Sequence, residues 1–449
     1  MKTETFHLEL ITPCFCGGAE PERQAEIRAP SIRGQLRWWF RTLGGFKSLE
    51  RRMTVRKQEA IIFGSTAGDT GRAGKLRLQV RSFAPTTLLS NETKNIDDLN
   101  AGKPFDPRGY LLFPLRKQGD DPRKRGVFVQ ALPRFELRLN LSGDKAPWSD
   151  AQDVIHDIQA LLNIFAHLGS LGFRARRGMG ALRPVVGGTL TAVSVQDALA
   201  RFGQPDNVAI RELASESQKF QALIASENKF RDAYNTDSAH ARNPIQRLSP
   251  IQMDELSKLA VWLRAWRQHG QMSVTWPKEA NSPNPIPSYQ KDYHRNMPGF
   301  PKARRDHNEG LARLGFPPGS SPSSASTDSE SQEGMQEETY RPAIGLPIIQ
   351  SFSSFRPRKT VNWGTKPKGQ NDSEGRFASP VLLRPHKDAQ GKWHALVIFV
   401  DAHKWPDGKR VYLNGQERQV AMVTLPDGTR SPTLYEAMKN DEALKPFTG

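Results

Sequence analysis

Two segments gather the residue types that hold phosphate. In His167–Arg183, written HLGSLGFRARRGMGALR, Gly169, Gly172, Gly178 and Gly180 are interleaved with Arg174, Arg176 and Arg177. Glycines let backbone N–H groups approach an anion with no Cβ in the way, and guanidiniums offer fork-shaped charged donors to the same oxygens. The segment reads as a clamp on a phosphodiester backbone, with a flexible basic hairpin as the competing reading. It is no P-loop, because Lys followed by Ser/Thr is absent, and its glycine spacing is not the dinucleotide fingerprint. Phe173 and Met179 pack under the loop or against a base, core packing being the commoner fate.

In Ser31–Leu43, SIRGQLRWWFRTL, Arg33, Arg37 and Arg41 stand at i, i+4 and i+8 and form one cationic stripe. Ile32, Leu36, Trp39, Phe40 and Leu43 form the apolar face. Like charges so spaced repel one another, and an anion laid on the stripe relieves them. A solvated face paired with Glu22, Glu26 or Glu50 accounts for the pattern equally well. Trp38 falls between the faces as a packing residue on the rim. Arg28 and Ser31, at the start of this helix, join the stripe and Gly172, Phe173, Arg174, Arg176, Arg177 and Gly178 as candidate RNA contacts. Tyr293–Arg305 (YHRNMPGFPKARR), with Arg295, Arg304 and Arg305, interleaves aromatic and basic residues in the manner of single-strand platforms. Lys117 with Pro122–Arg125 makes a lesser basic patch.

Catalysis is poorly provided for. Metal-independent RNA cleavage needs a His general base beside donors that stabilise the transition state, and only His167 adjoins the arginine loop, with His7 as the other candidate. A lone His at a helix end more commonly complements the helix dipole. Metal-dependent cleavage needs clustered carboxylates; Thr12–Pro30 offers Glu20, Glu22 and Glu26 but no aspartate. Cys14 and Cys16 lack the second pair of a zinc site and read as reduced thiols. The expectation is therefore no catalytic residue, no metal and no cofactor.

The elements that must position these residues are legible from periodicity. Thr5–Ile11 alternates as a strand and breaks at Pro13 and Gly17-Gly18. Ser31, as N-cap, opens the arginine helix and Gly44-Gly45 closes it. A second helix spans Met53–Phe63 and ends at Gly64. Lys75–Phe83 and Phe128–Leu141 are strands, Ala151–Leu168 is an amphipathic helix, and Ala181–Leu190 is a final strand. The succession is β-α-β-β-α-β, the ferredoxin-like order. Beyond it, helical patterns at Arg211–Tyr234 and Met253–His269 precede strands at Ile344–Phe352, Ala378–Pro385 and Trp393–Asp401. The expected class is α+β: tandem ferredoxin-like (RRM-like) domains, 1–195 and 196–449, with long loop insertions. Asn281–Tyr289 is rich in Pro, Ser and Asn. Pro317–Glu338 is acidic and low in complexity, and reads as a disordered insertion.

Composition agrees. At 449 residues the chain exceeds what one core usually organises. Lys plus Arg number 64 against 47 Asp plus Glu, a net +17, the footprint of a polyanion binder. No apolar run approaches the roughly 18 residues of a membrane span, and the N-terminus does not read as a signal peptide. A soluble, cytoplasmic protein is expected, with RNA rather than membrane as partner.

The motifs together resemble a known family. ITPCFCGGAE, EIRAPSIRGQLRWWFRTLGG, AIIFGS and LGSLGFRARRGMGAL, with GLPI at Gly345–Ile348 and RFASPVLLRP at Arg376–Pro385, are similar to the RAMP superfamily of CRISPR proteins. The nearest likeness is to the first RAMP subunits of type III-B Cmr effector complexes. The resemblance implies a non-catalytic subunit in antiviral defence, at one tip of a ribonucleoprotein near the 3′ part of the CRISPR RNA and the target RNA, beside other Cmr subunits. RAMP nucleases that process CRISPR RNA use a His close to the first helix, and none occurs between Cys14 and Ala60 here. Two alternatives stay open: a metal-independent RAMP endonuclease, and a scaffold that touches no RNA.

Overall fold

The structure is a computed structural model that describes residues 2–16, 25–51, 53–66, 71–82, 93–94, 108–112, 125–126, 134–141, 151–185, 194–225, 228, 254–268, 338–339, 348–352, 359–364, 377–406, 410–413, 416–420, 423–424, 430–431 and 433–448. Arg295, Arg304 and Arg305, the segment Asn281–Tyr289, all of Pro317–Glu338 but its last residue, and Lys117 with Pro122–Lys124 lie outside the described residues.

In the N-terminal half, β1 (Lys2–Leu10), α1 (Ala29–Thr42), α2 (Val55–Phe63), β2 (Leu76–Ser82), β3 (Arg134–Leu141), α3 (Ala151–Leu168) and β4 (Leu182–Pro184) follow in order. The four strands make one antiparallel sheet ordered β2-β3-β1-β4. Period-two alternation turns Phe6, Leu8 and Leu10 of β1 and Phe135, Leu137 and Leu139 of β3 onto the helices, each almost completely buried. The opposite face is polar. There Glu9, itself buried, is gripped by Arg134 and Arg183.

The N-cap of helix α1 lies three residues earlier than the capping pattern suggests. Arg28, extended and offering no side-chain cap, takes the N-cap position, and Pro30 in the first turn fixes the start. Ser31 is thus an exposed helical residue and not the cap. The end is as expected: Gly44 and Gly45 adopt φ of 75° and 72°, and their N–H groups turn back to the Arg41 and Phe40 carbonyls. Thr54 caps α2, and Gly64 at φ 88° ends it.

The C-terminal half repeats the arrangement. β5 (Val208–Leu213), α4 (Glu255–Gln268), β6 (Val381–Lys387), β7 (Trp393–Val400), α5 (Leu434–Lys439) and β8 (Leu444–Pro446) include a second antiparallel sheet, ordered β6-β7-β5-β8. Counted within its own half, each sheet runs 2-3-1-4. The fold is thus α+β with two four-stranded antiparallel sheets. Reading Arg211–Tyr234 as one helix is corrected at its start: VAIREL, which includes Arg211–Leu213, pairs with β7 as a strand, and among the described residues helix occupies 218–225 and 228. The strand near Ile344–Phe352 is Ile348–Phe352, and it joins a separate five-stranded sheet with 338–339, 359–364, 411–413 and 416–420.

The second sheet is apolar on both faces. Val381, Leu383, Ala395, Val397 and Phe399 pack with Trp262 and Trp266 of α4 and Tyr435 of α5. Val208, Ile210, Leu382, Leu396, Ile398 and Val400 enter the core built by the N-terminal half, with Leu161 and Phe165 of α3. Six aliphatic side chains buried across that seam contribute on the order of 10 kcal/mol, so the halves share one core.

Candidate nucleic-acid interface

Between α3 and β4, the glycine-arginine loop folds back on the chain that follows β1. The N–H of Phe173 donates to the Phe15 carbonyl at 2.7 Å, that of Gly180 to Pro13 at 2.8 Å, and that of Leu171 to Gly180 at 2.9 Å. A Cβ on Gly172 would stand 2.5 Å from the Phe15 oxygen, and one on Gly180 2.0 Å from the Leu171 oxygen, both at positive φ. These glycines therefore serve close approach of protein to protein. The expectation that they open the backbone to phosphate is corrected for Gly169 and Gly180, whose N–H groups are spent on Phe165 and Pro13. Gly178 is buried against Leu256 and its carbonyl accepts from Thr12, so it too leaves the candidate surface.

The three loop arginines divide by burial. Arg177 is buried at 7% exposure and donates to the Val381 carbonyl at 3.1 Å, which removes it from the candidate contacts. Arg176 donates to the Ser379 carbonyl at 2.7 Å, and its guanidinium lies 5.2 Å from the Trp38 ring centre. Arg174 donates to the Leu111 carbonyl and holds φ at 63°, the one positive φ on a non-glycine among the described residues. Such a conformation costs about 1 kcal/mol or more and persists only where the surroundings enforce it. Met179 is buried as expected. Phe173 is not: 47% of it is exposed while its backbone is pinned to Phe15, contrary to the core packing expected for it.

The stripe on α1 is anchored from within. Arg33 donates to the carbonyls of Phe63, where α2 ends, and Leu76, where β2 begins. Arg37 and Arg41 share one oxygen of Glu59 at 2.6 and 2.9 Å. Among the described residues the pairing acid is thus Glu59 on α2 rather than Glu26 or Glu50, while Glu22 lies outside the described residues. One carboxylate against three guanidiniums leaves positive charge on the face, and Arg41 stays 53% exposed. Arg28 and Ser31 are exposed at the start of α1.

Helix and loop meet at a cavity of about 540 Å³. Gly34, Gln35, Trp38, Trp39 and Arg41 form one wall; 168–170 and 172–177 of the loop and Ala378–Ser379 with Leu382–Arg384 form the others. Among the described residues five arginines line it, Arg41, Arg174, Arg176, Arg177 and Arg384, and no carboxylate does. The field is felt by His403, whose ring stacks on Trp38 at 5.2 Å: burial first, then Arg176 and Arg41, hold its pKa below the ordinary histidine range.

Arg384, unmarked by the sequence reading as a site residue, is buried at 1% exposure and has no acid paired with it among the described residues. Its fork donates to the carbonyls of Ala166, His167, Gly169 and Leu182 and to the Ser170 hydroxyl. It thereby satisfies the orphan carbonyls at the end of α3 and bolts the loop to β6. Burial pulls its pKa down to about 9. Burial and then Arg384 lower His167 to about 4, so this histidine is neutral, and the expected dipole-favouring charge at the end of α3 belongs to Arg384. A run of near-continuous apolar residues, VLLRPHK, broken by one arginine was the available signal: such a strand is buried on both faces, and a cation there must be bonded.

Cys14 is buried and Cys16 partly so, both as free thiols. The hydrogen-bonded neighbour Cys16, and then burial, push the Cys14 pKa up. Among the described residues no group of three or more His, Cys, Asp or Glu is placed to hold a metal, and no helix is long and apolar enough to cross a membrane.

Residues 7–183 match the RAMP superfamily family model. The chain is 29% identical over 188 residues to CRISPR system Cmr subunit Cmr1-1 of Pyrococcus furiosus, a match covering 41% of this chain and 48% of that protein. It thus spans about half the length of that relative. To Cmr1-2 of the same organism it is 26% identical over 195 residues, 40% of this chain and 92% of the relative. The crystal structure of Cmr1 from P. furiosus in its apo form superposes with a TM-score of 0.44 at 15% identity, covering 91% of this chain and 90% of the other. A chain of the type III-B Cmr-beta complex bound to cognate target RNA gives 0.37 at 12% identity, covering 93% and 96%. The α1 stripe and the glycine-arginine loop both fall inside the matched segment, over which the chain is similar to the RAMP superfamily and to Cmr1 subunits.

Proposed function

We propose that this chain is a non-catalytic RNA-binding subunit of a type III-B CRISPR ribonucleoprotein, at one tip of the complex near the 3′ part of the CRISPR RNA and the target RNA, acting in antiviral defence in the cytoplasm. One observation carries the reading: a cavity lined by arginines and, among the described residues, free of carboxylates, with the exposed ring of Phe173 on its rim. Phosphates pair with Arg41, Arg174 and Arg176 while a base stacks on Phe173. Similarity to Cmr1 subunits supports other Cmr subunits and CRISPR RNA as partners. We read the two sheets as tandem ferredoxin-like domains divided near residue 195; their identical strand order supports this.

The endonuclease alternative is weakened because His167 is buried and absent from the cavity lining. Arg33, Arg174 and Arg176 also donate to backbone carbonyls but are only partly buried, so the scaffold reading is favoured only by the buried Arg177 and Arg384.

The test is the affinity of the full chain for labelled single-stranded RNA across a salt series. Three phosphate contacts give a slope of ~−2 in log K against log salt, and five, if Arg33 and Arg37 join, give ~−3.5. Phe173→Ala should weaken binding by roughly 5- to 150-fold, the value of one stacked base, with the slope unchanged. Binding without salt dependence, or indifference to Phe173→Ala, overturns the proposal.

A further inference from the structure

Gly34 sits inside α1, where glycine is about 1 kcal/mol worse than alanine. Packing does not demand it. A Cβ built there meets nothing within 4 Å, whereas at Gly172 or Gly180 it would strike backbone. Gly34 is exposed and its φ is ordinary, so neither crowding nor a left-handed turn accounts for the residue. Its position is distinctive. It lines the arginine cavity, and it also lines a second hollow of about 470 Å³ on the other side of α1, formed with Ala29, Pro30, Arg33, Arg37 and Leu78. Along the helix, Arg37, Trp38 and Arg41 follow it at i+3, i+4 and i+7, so Gly34 is the low point of a ridge between two cation-lined depressions.

We infer that a single-stranded nucleic acid crosses α1 at Gly34, with its sugar-phosphate backbone against the bare helix and continuing from the loop cavity into the Arg33/Arg37 hollow. This rests on the RNA-binding reading and extends it: the two hollows are one track, and the missing side chain is what joins them. The stripe arginines then flank the strand rather than receive it end-on, which agrees with their being held in place by Phe63, Leu76 and Glu59.

The experiment uses the full chain with Gly34→Ala and Gly34→Leu, both better helix formers than glycine. Urea midpoints should rise for both, because among the described residues nothing stands within 4 Å of a Cβ at this position. Affinity for a labelled single-stranded RNA of about 30 nucleotides should fall a few-fold for Gly34→Ala and at least tenfold for Gly34→Leu, while the salt slope of the residual binding falls from ~−3.5 towards ~−2 as the second hollow is lost. Wild-type binding with unchanged affinity in Gly34→Leu overturns the crossing and leaves the RNA reading standing. Absence of salt-dependent binding by the wild type overturns both. A lowered urea midpoint also overturns the inference, since the space above Gly34 would then belong to the protein.

Discussion

Replacing Arg384 with methionine sets two opposed effects against each other at one buried point. Methionine keeps the apolar stem but removes the fork that serves four carbonyls and the Ser170 hydroxyl. A buried acceptor left without a donor costs about 1–3 kcal/mol, so four carbonyls lose roughly 8 kcal/mol at mid-range if none finds water. Against this, removing the charge relieves its desolvation: a guanidinium held down to about 9 against its ordinary 12.5 carries on the order of 5 kcal/mol of burial cost. The lost hydrogen bonds win, and Arg384→Met should destabilise the full chain by about 3 kcal/mol. Urea unfolding followed by tryptophan fluorescence reads this as a lower midpoint with an unchanged slope. Arg384→Lys should recover only part of the loss, because a point charge cannot reach carbonyls spread across the plane of the fork. If Arg384→Met loses less than about 1 kcal/mol, the argument that this residue closes α3 and joins loop to strand is wrong.

His167 and His386 should make the fold acid-sensitive. Burial, aided by Arg384 and, for His386, by His167, lowers their pKa values to about 4 and about 2. Both are therefore neutral in the folded chain, while the unfolded chain takes up protons near pH 6.5. Stability is full above that value and falls as pH drops towards 4, by about 2 kcal/mol per histidine at pH 5. His386→Phe should flatten the pH dependence of the urea midpoint, and an unaltered dependence counts against the assignment. The His403 ring offers a direct report of anion binding. Arg176 and Arg41 help to depress its pKa, so RNA in the cavity should raise it, visible as a shifted imidazole titration by NMR. An identical titration with and without RNA would leave the cavity empty of phosphate.

Local signals were read well where one element explains them. Ala151–Leu168 is a helix over the same residues in sequence and structure, and the paired glycines at 44 and 45 end α1 where composition says they should. What depends on two distant segments was hidden. Glu59 reaches Arg37 and Arg41 because α2 packs beside α1, and no spacing along the chain announces it. Arg177 and Phe173 are four residues apart in a loop of uniform basic character, yet one is inside and the other out. The difference is set by Phe15, which pins the backbone at Phe173, and by β6, which presents a carbonyl to Arg177. The helical pattern that starts at Arg211 overlaps the last three residues of VAIREL, and only pairing with β7 separates strand from helix.

The sheet shared between the halves also sets a timetable. The N-terminal half ends with β4 at Pro184, but its apolar cover includes Leu382, Leu396, Ile398 and Val400, about two hundred residues later. At 5–20 residues per second, a ribosome leaves that surface bare for roughly 10–40 seconds. The nascent chain therefore passes through a period in which its first half is complete in sequence and sticky in fact. Slowed translation between 185 and 400 should be a condition under which this protein aggregates, even though no residue has changed.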